Sequence, residues 1–211
     1  MIFETRCAGC DRPGAPICTS CRFALLGRPP GPAEHGVVAA VPFAGRARDV
    51  VLGLKYRNRR AVGRHLAGLV VNRLVETGAH RGIDVVTWAP TSARRRRERG
   101  FDQGELLART VARQLGVRCE RLLEREAGAP QTGRTRAERL RAPAFRARPG
   151  RGPRRVLVVD DVVTTGSTLR SAADALEATG AEVVLAAVAA TPERRLATVA
   201  RFPRRHATSA A

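Results

Sequence analysis

Val156-Leu157-Val158-Val159-Asp160-Asp161-Val162-Val163-Thr164-Thr165-Gly166-Ser167-Thr168 is the stretch on which the fold turns. Its apolar opening reads as a strand covered on both faces, the pattern of a parallel sheet. The strand delivers two adjacent carboxylates, and a short hydroxyl-rich loop with one glycine then opens a helix. Each part has a chemical use. Gly166 lets the backbone come close to a ligand. The first amides of the helix from Ser167 lack intrahelical partners and point at an anion. Thr164, Thr165, Ser167 and Thr168 add hydroxyl donors, which makes the loop a cradle for a phosphate monoester. Asp160 and Asp161 suit paired sugar hydroxyls, or a magnesium ion held through oxygen ligands. An ordinary strand-to-helix turn explains such acids and hydroxyls one at a time, but not the whole run.

Outward from this run, strands and helices alternate. Val37 to Pro42 and Ile83 to Trp88 read as strands, with helical spacing over 47–54 and 60–76 between them. Residues 103–115 read as a helix, with Asp102 as its N-cap and Gly116 just past its end. Val117 to Leu123 and Arg155 to Asp160 read as strands, Ser167 to Thr179 as a helix, and Glu182 to Ala189 as the last strand. Residues 124–153 are rich in Arg, Gly and Pro and read as a long mobile segment with room for one helical stretch. The fold class is therefore α/β, a parallel sheet flanked by helices. Ligands of such sheets bind at the carboxyl ends of strands. That singles out the loops after Trp88, Leu123 and Asp160.

The quoted run closely resembles the phosphoribosyl pyrophosphate (PRPP) signature of type I phosphoribosyltransferases: an apolar strand, two acids, then Thr-Thr-Gly-x-Thr. The resemblance implies that Asp160 and Asp161 hold the ribose hydroxyls and serve catalysis. It also implies that Thr164, Thr165, Gly166, Ser167 and Thr168 hold the 5-phosphate. In that family the loop after the first core strand binds pyrophosphate, here Ala89-Pro90-Thr91-Ser92. The arginine run Arg94 to Arg97 follows it, with a solvated basic face as its plainer reading. Arg99-Gly100-Phe101-Asp102-Gln103, Leu54-Lys55-Tyr56 and four clustered cysteines narrow the likeness. Together they resemble the ComF (competence protein F) family of phosphoribosyltransferase-like proteins. Pro90, Thr91, Arg99 and Lys55 are then the expected pyrophosphate contacts. Asp102 stands where that family usually has asparagine. A further element is met in part by Gln131 and Arg139, with Ala142 where asparagine is usual.

The cysteines are two knuckles, Cys7-x2-Cys10 and Cys18-x2-Cys21, seven residues apart. Each knuckle aims two thiolates at one centre, and two knuckles complete a tetrahedral site for structural zinc. Two disulfides or a redox pair are the alternatives. Residues 1–35 read as a small zinc-ribbon-like module, closed by Arg28-Pro29-Pro30-Gly31-Pro32. Residues 36–211 read as the phosphoribosyltransferase-like domain, with 192–211 as a basic tail. Cys119 reads as a packing residue.

The chain carries a formal charge of +19, and Lys55 is the only lysine, so 37 of its 38 basic residues are arginine. Codon bias is one explanation of that ratio, a polyanion-binding surface the other, and bias does not explain the net excess. In such a chain a retained lysine points to a need for a compact ammonium. The positive field suits a polyphosphorylated small molecule or a nucleic acid equally. The N-terminus lacks the pattern of a signal peptide, and no apolar run reaches membrane-spanning length. The expected setting is the cytoplasm, without membrane insertion. Three functions stay open: PRPP binding with magnesium and phosphoribosyl transfer, a non-catalytic PRPP or nucleotide sensor, and a single-stranded DNA-binding partner of DNA-uptake proteins. The ComF resemblance supplies the last. Residues 36–80, expected on the acceptor side, carry nothing diagnostic, and no residue stands out as general base.

Overall fold

The computed structural model describes residues 5–27, 36–126, 143–149 and 154–191. A central five-stranded sheet is parallel throughout, in the order β1 (Val37–Pro42), β7 (Glu182–Ala190), β6 (Arg155–Val163), β2 (Val85–Trp88), β3 (Arg118–Cys119). Between β1 and β2 lie α2 (Gly45–Tyr56), a 3-10 turn at Arg60–Val62, and α3 (Gly63–Glu76). Helices α4 (Ala93–Arg99) and α5 (Gln103–Leu115) connect β2 to β3, and α6 (Ser167–Glu177) connects β6 to β7.

Alternation along β6 explains why its sequence is apolar at successive positions. Leu157 and Val159 enter a core shared with α2, α3 and α5, while Val156 and Val158 enter a second core under α6. A strand buried on both faces has no solvent side to keep polar. The same alternation sends Asp161 toward the α2 side and Asp160 toward the α6 side. Strand β2 ends at Trp88, paired with Val159. Beyond that point β6 continues to Val163 with β7 alone as partner. The two acids thus lie on a strand, just where one of its edges becomes free, and the true loop is Thr164 to Gly166.

Several expectations need correction. Val117 to Leu123 is not one strand: Arg118–Cys119 pairs with β2, and the chain then leaves the sheet. Leu123–Arg125 (β4) instead pairs antiparallel with Phe145–Ala147 (β5), so the segment read as mobile from 124 begins and ends in a two-stranded ribbon. Leu123 and Phe145 anchor that ribbon in the core under α6. The arginine run is helical, with the Ser92 hydroxyl accepting from the Arg95 amide at its start. Gln131, Arg139, Ala142 and the basic tail 192–211 lie outside the described residues, as do 28–35.

The N-terminal segment holds α1 (Thr19–Phe23) and packs directly on the rest of the fold. Cys7, Ala8, Ile17, Cys21 and Leu25 share one buried cluster with α2 and α3. Contact is closest at Gly53, where a Cβ would overlap the Ala8 carbonyl. The Arg57 guanidinium donates to that same carbonyl, and Arg59 pairs with Asp11 at 2.7 Å. Gly53→Ala is expected to destabilise the protein by about 1–3 kcal/mol, as overpacking does. Urea unfolding that shows an unchanged midpoint would contradict this seating.

Candidate functional site

The carboxyl ends of β2 and β6, with α2, α4 and α5, enclose a cleft of about 570 Å³. Lys55, Pro90, Thr91, Arg99, Asp160, Asp161, Thr164 and Thr168 all line it. These residues span more than half the chain in sequence, and the fold brings them to one place. Thr165, Gly166 and Ser167 form the turn behind Thr164. The Thr165 hydroxyl donates to the Ser167 hydroxyl at 3.0 Å, and Arg170 braces the turn by donating to the Thr165 carbonyl at 2.6 Å. Gly166 takes φ +71°, a conformation that side chains disfavour. Gly166 offers no side chain to cap α6; the Ser167 amide donates to the Thr165 hydroxyl at 3.4 Å, and the amides that follow keep their capacity for an anion.

The two acids differ. Asp161 is buried and pairs with Lys55 Nζ at 2.9 Å. Among the described residues Asp160 has no such cation, and its carboxylate accepts only the Asp161 amide, at 2.7 Å. Burial, and then the neighbouring Asp161 charge, push the Asp160 acid up to about 8. Lys55, expected on pyrophosphate, pairs with Asp161.

Asp102 does more than cap α5. One oxygen accepts from the amides of Gly104 and Glu105, at 3.0 and 3.4 Å, and the other accepts from Thr91 at 2.9 Å. Burial raises its acid, and those amides pull it partly back. The contact with Thr91 fixes the loop after β2 against the start of α5. An asparagine could offer one acceptor oxygen, not two. Gln103, buried to 2% exposure, accepts from Arg99 at 2.9 Å and so aims that guanidinium along the cleft.

Sequence reasoning missed Arg125, Arg48 and the role of Gln103. Arg125, on β4, donates to the Pro90 carbonyl at 3.3 Å and lines the cleft. Its signal was hidden because the strand leaves the sheet. Arg48 and Tyr56 lie on the cleft face of α2 at helical spacing, a signal the apolar periodicity of 47–54 overlooked. Arg95 and Arg99, one helical turn apart, face the cleft, whereas Arg96 and Arg97 do not line it.

The four thiols form a second centre. Their sulfur atoms lie within 4.8 Å of one another, and Cys10 and Cys18 are 3.7 Å apart. A tetrahedral zinc with Zn–S bonds of about 2.3 Å would space its sulfurs about 3.8 Å apart. All four are free thiols. Burial works against a Cys7 thiolate, but the amides of Cys10, Cys18 and Gly9 outweigh it and bring the thiol down to about 6. This donor set is able to hold a metal ion.

The sequence profile of the phosphoribosyl transferase domain matches residues 102–202. Over 189 residues the chain is 29% identical to the DNA utilization protein YhgH of Escherichia coli O6:H1, covering 86% of this chain and 82% of that one. The same-named protein of Salmonella typhimurium is 29% identical over 185 residues, 84% and 80% of the two chains. These matches agree with the resemblance to the ComF family of phosphoribosyltransferase-like proteins. The cleft brings Lys55 and Tyr56 together with Arg99, Asp102 and Gln103 beside the acids of β6. Among solved structures, the chain is similar to an adenine phosphoribosyltransferase at 19% identity and a TM-score of 0.42, covering 66% of this chain and 74% of that one. Among the described residues, no helix is long and apolar enough to cross a membrane.

Asp160 generates a pH prediction. Its acid sits at about 8 in the fold against an ordinary 3.8. The folded chain therefore keeps a proton that the unfolded chain releases between those values, and stability falls as pH rises through that window. Asp160→Asn is expected to raise the melting temperature, with a gain that grows from pH 4 to 8 and levels off above. A gain independent of pH in thermal unfolding would contradict the assignment.

Proposed function

We propose that the cleft binds PRPP together with magnesium, and that residues 1–35 form a module held by structural zinc beside the domain 36–211. The convergence of Asp160, Thr164, Thr168, Arg99 and the Pro90–Thr91 loop on one cleft carries the reading. Thr164, Thr168 and the first amides of α6 take the 5-phosphate. Asp160, the acid without a cation, accepts from the ribose hydroxyls or contacts magnesium. Arg95, Arg99 and the Thr91 loop take the pyrophosphate, because planar guanidinium groups grip phosphate oxygens in pairs. Magnesium, when bound with PRPP, supplies further positive charge against the phosphate oxygens.

In transfer, a nucleophile forms a bond to C1 while the C1–O bond breaks and pyrophosphate leaves with the electron pair. The arginines would stabilise that departing charge, as preorganised cations do. A sensor would hold PRPP through the same contacts without turnover, since fold alone does not fix activity.

Purified protein is expected to carry one zinc per chain by metal analysis and to bind PRPP with Mg²⁺ in isothermal titration. Gly166→Val should abolish that binding, because valine strains at this φ and crowds the phosphate. Absence of binding by zinc-loaded wild-type protein would overturn the reading. Pyrophosphate release with a panel of bases and amines separates transfer from sensing.

A second reading rests on the relatives' description as DNA utilization proteins and on the exposed arginines of α4. On that reading α4 and the net charge of +19 contact single-stranded DNA. Binding should then fall steeply with salt, by counterion release, and Arg96→Ala with Arg97→Ala should flatten the slope. Salt-insensitive or absent binding removes this reading.

A further inference from the structure

Helix α2 turns a stripe toward the cleft: Arg48, Leu52 and Tyr56, each one turn beyond the last. Phe43 lines the same cleft just ahead of the helix. Tyr56 is the chain's only tyrosine and is 68% exposed. The Arg99 guanidinium lies over its ring, 4.9 Å from the centroid, and donates to its hydroxyl at 3.3 Å. The ring is therefore held in position by one cation while most of its surface stays open. Arg48, one end of the stripe, has no ion-pair partner among the described residues. The groups directed at ribose and 5-phosphate come from β6, the turn behind it and α6, so the α2 stripe is left for something else.

What fits this wall is set by its chemistry. Leu52 and Phe43 offer apolar surface, and Tyr56 offers a flat, pre-positioned face. Planar rings stack on such faces. At the far end an unpaired guanidinium favours a carboxylate. A neutral base would use the ring and leave Arg48 idle.

We propose that the α2 wall is the acceptor pocket and takes a pyridine-type carboxylate, its ring stacked on Tyr56 and its carboxylate on Arg48. This rests on the PRPP reading above. In the transfer step, the lone pair of the ring nitrogen forms the bond to C1. The C1–O bond breaks, and its electrons leave with pyrophosphate. A pyridine-type nitrogen carries no proton, so the step releases none and asks for no general base. That agrees with the acids of the cleft, which are otherwise engaged. Asp102 holds three amides, Asp161 pairs with Lys55, and Asp160 is turned to the sugar.

The single tyrosine makes the test direct. Full-length protein labelled with 3-fluorotyrosine has one ¹⁹F resonance, at Tyr56. With Mg²⁺ and ribose 5-phosphate present, nicotinate and pyridine-2,3-dicarboxylate are expected to shift it saturably, and cyclohexanecarboxylate is not. By calorimetry, Tyr56→Ala should weaken nicotinate binding about tenfold, the scale of one stacked ring, and Tyr56→Phe should restore it. Arg48→Ala should weaken nicotinate but not nicotinamide. If wild-type protein binds PRPP and no ring shifts the resonance, the acceptor proposal fails while the PRPP reading stands. If nicotinamide or adenine binds as tightly as nicotinate, the role of Arg48 fails and the proposal with it. If wild-type protein does not bind PRPP at all, the earlier reading fails first.

Discussion

The ion pair between Lys55 and Asp161 is the contact on which the site depends. Two adjacent carboxylates at the free edge of a buried strand repel one another and lose solvation. One cation relieves one of them, at 2.9 Å. The choice of acid follows from strand alternation, which turns Asp161 toward α2 and leaves Asp160 on the other side. The result is an unequal pair: one carboxylate neutralised by Lys55, the other without an ion-pair partner among the described residues. Lys55 reaches Asp161 only because α2 is seated correctly, and α2 is seated on the four-cysteine module through Gly53 and Arg57. The only lysine of an arginine-rich chain thus connects its two halves. A compact ammonium fits beside one carboxylate, where a forked guanidinium would span both.

Much of this was legible in the sequence. The β6 run named its own strand, turn and helix, because a doubly buried strand reads as continuous apolar residues and a glycine marks the turn. Asp102 and Gly116 bracketed α5 as caps should, since capping is local chemistry read from one or two residues. The cysteine spacing announced its cluster for the same reason. What failed was non-local. Nothing in Val117 to Leu123 tells that two of its residues pair with β2 while Leu123 turns away to meet Phe145. The partner of a strand lies elsewhere in the chain, and β-propensity cannot name it. The arginine run gave no apolar periodicity to mark it as a helix, because α4 buries no residue. The cleft face of α2 was hidden because Arg48 and Tyr56 look like ordinary surface residues until the opposite wall is in place.

Asp102 shows how a departure from a family pattern can be read physically. By sequence it is a helix cap that stands where the family usually has asparagine. In the structure it is buried, and both oxygens are spent on backbone amides. The charge is therefore directed into the protein frame, where it holds the Thr91 loop to α5.

The close approach of Gly53 to Ala8 has a further thermodynamic consequence. One helix packs against the four-cysteine cluster and also walls the cleft, so the two places share its position as a common variable. Linkage through a shared variable is reciprocal. To the degree that an ion on the cysteines steadies α2 for a cleft ligand, that ligand must tighten the cysteines' hold on the ion by the same factor.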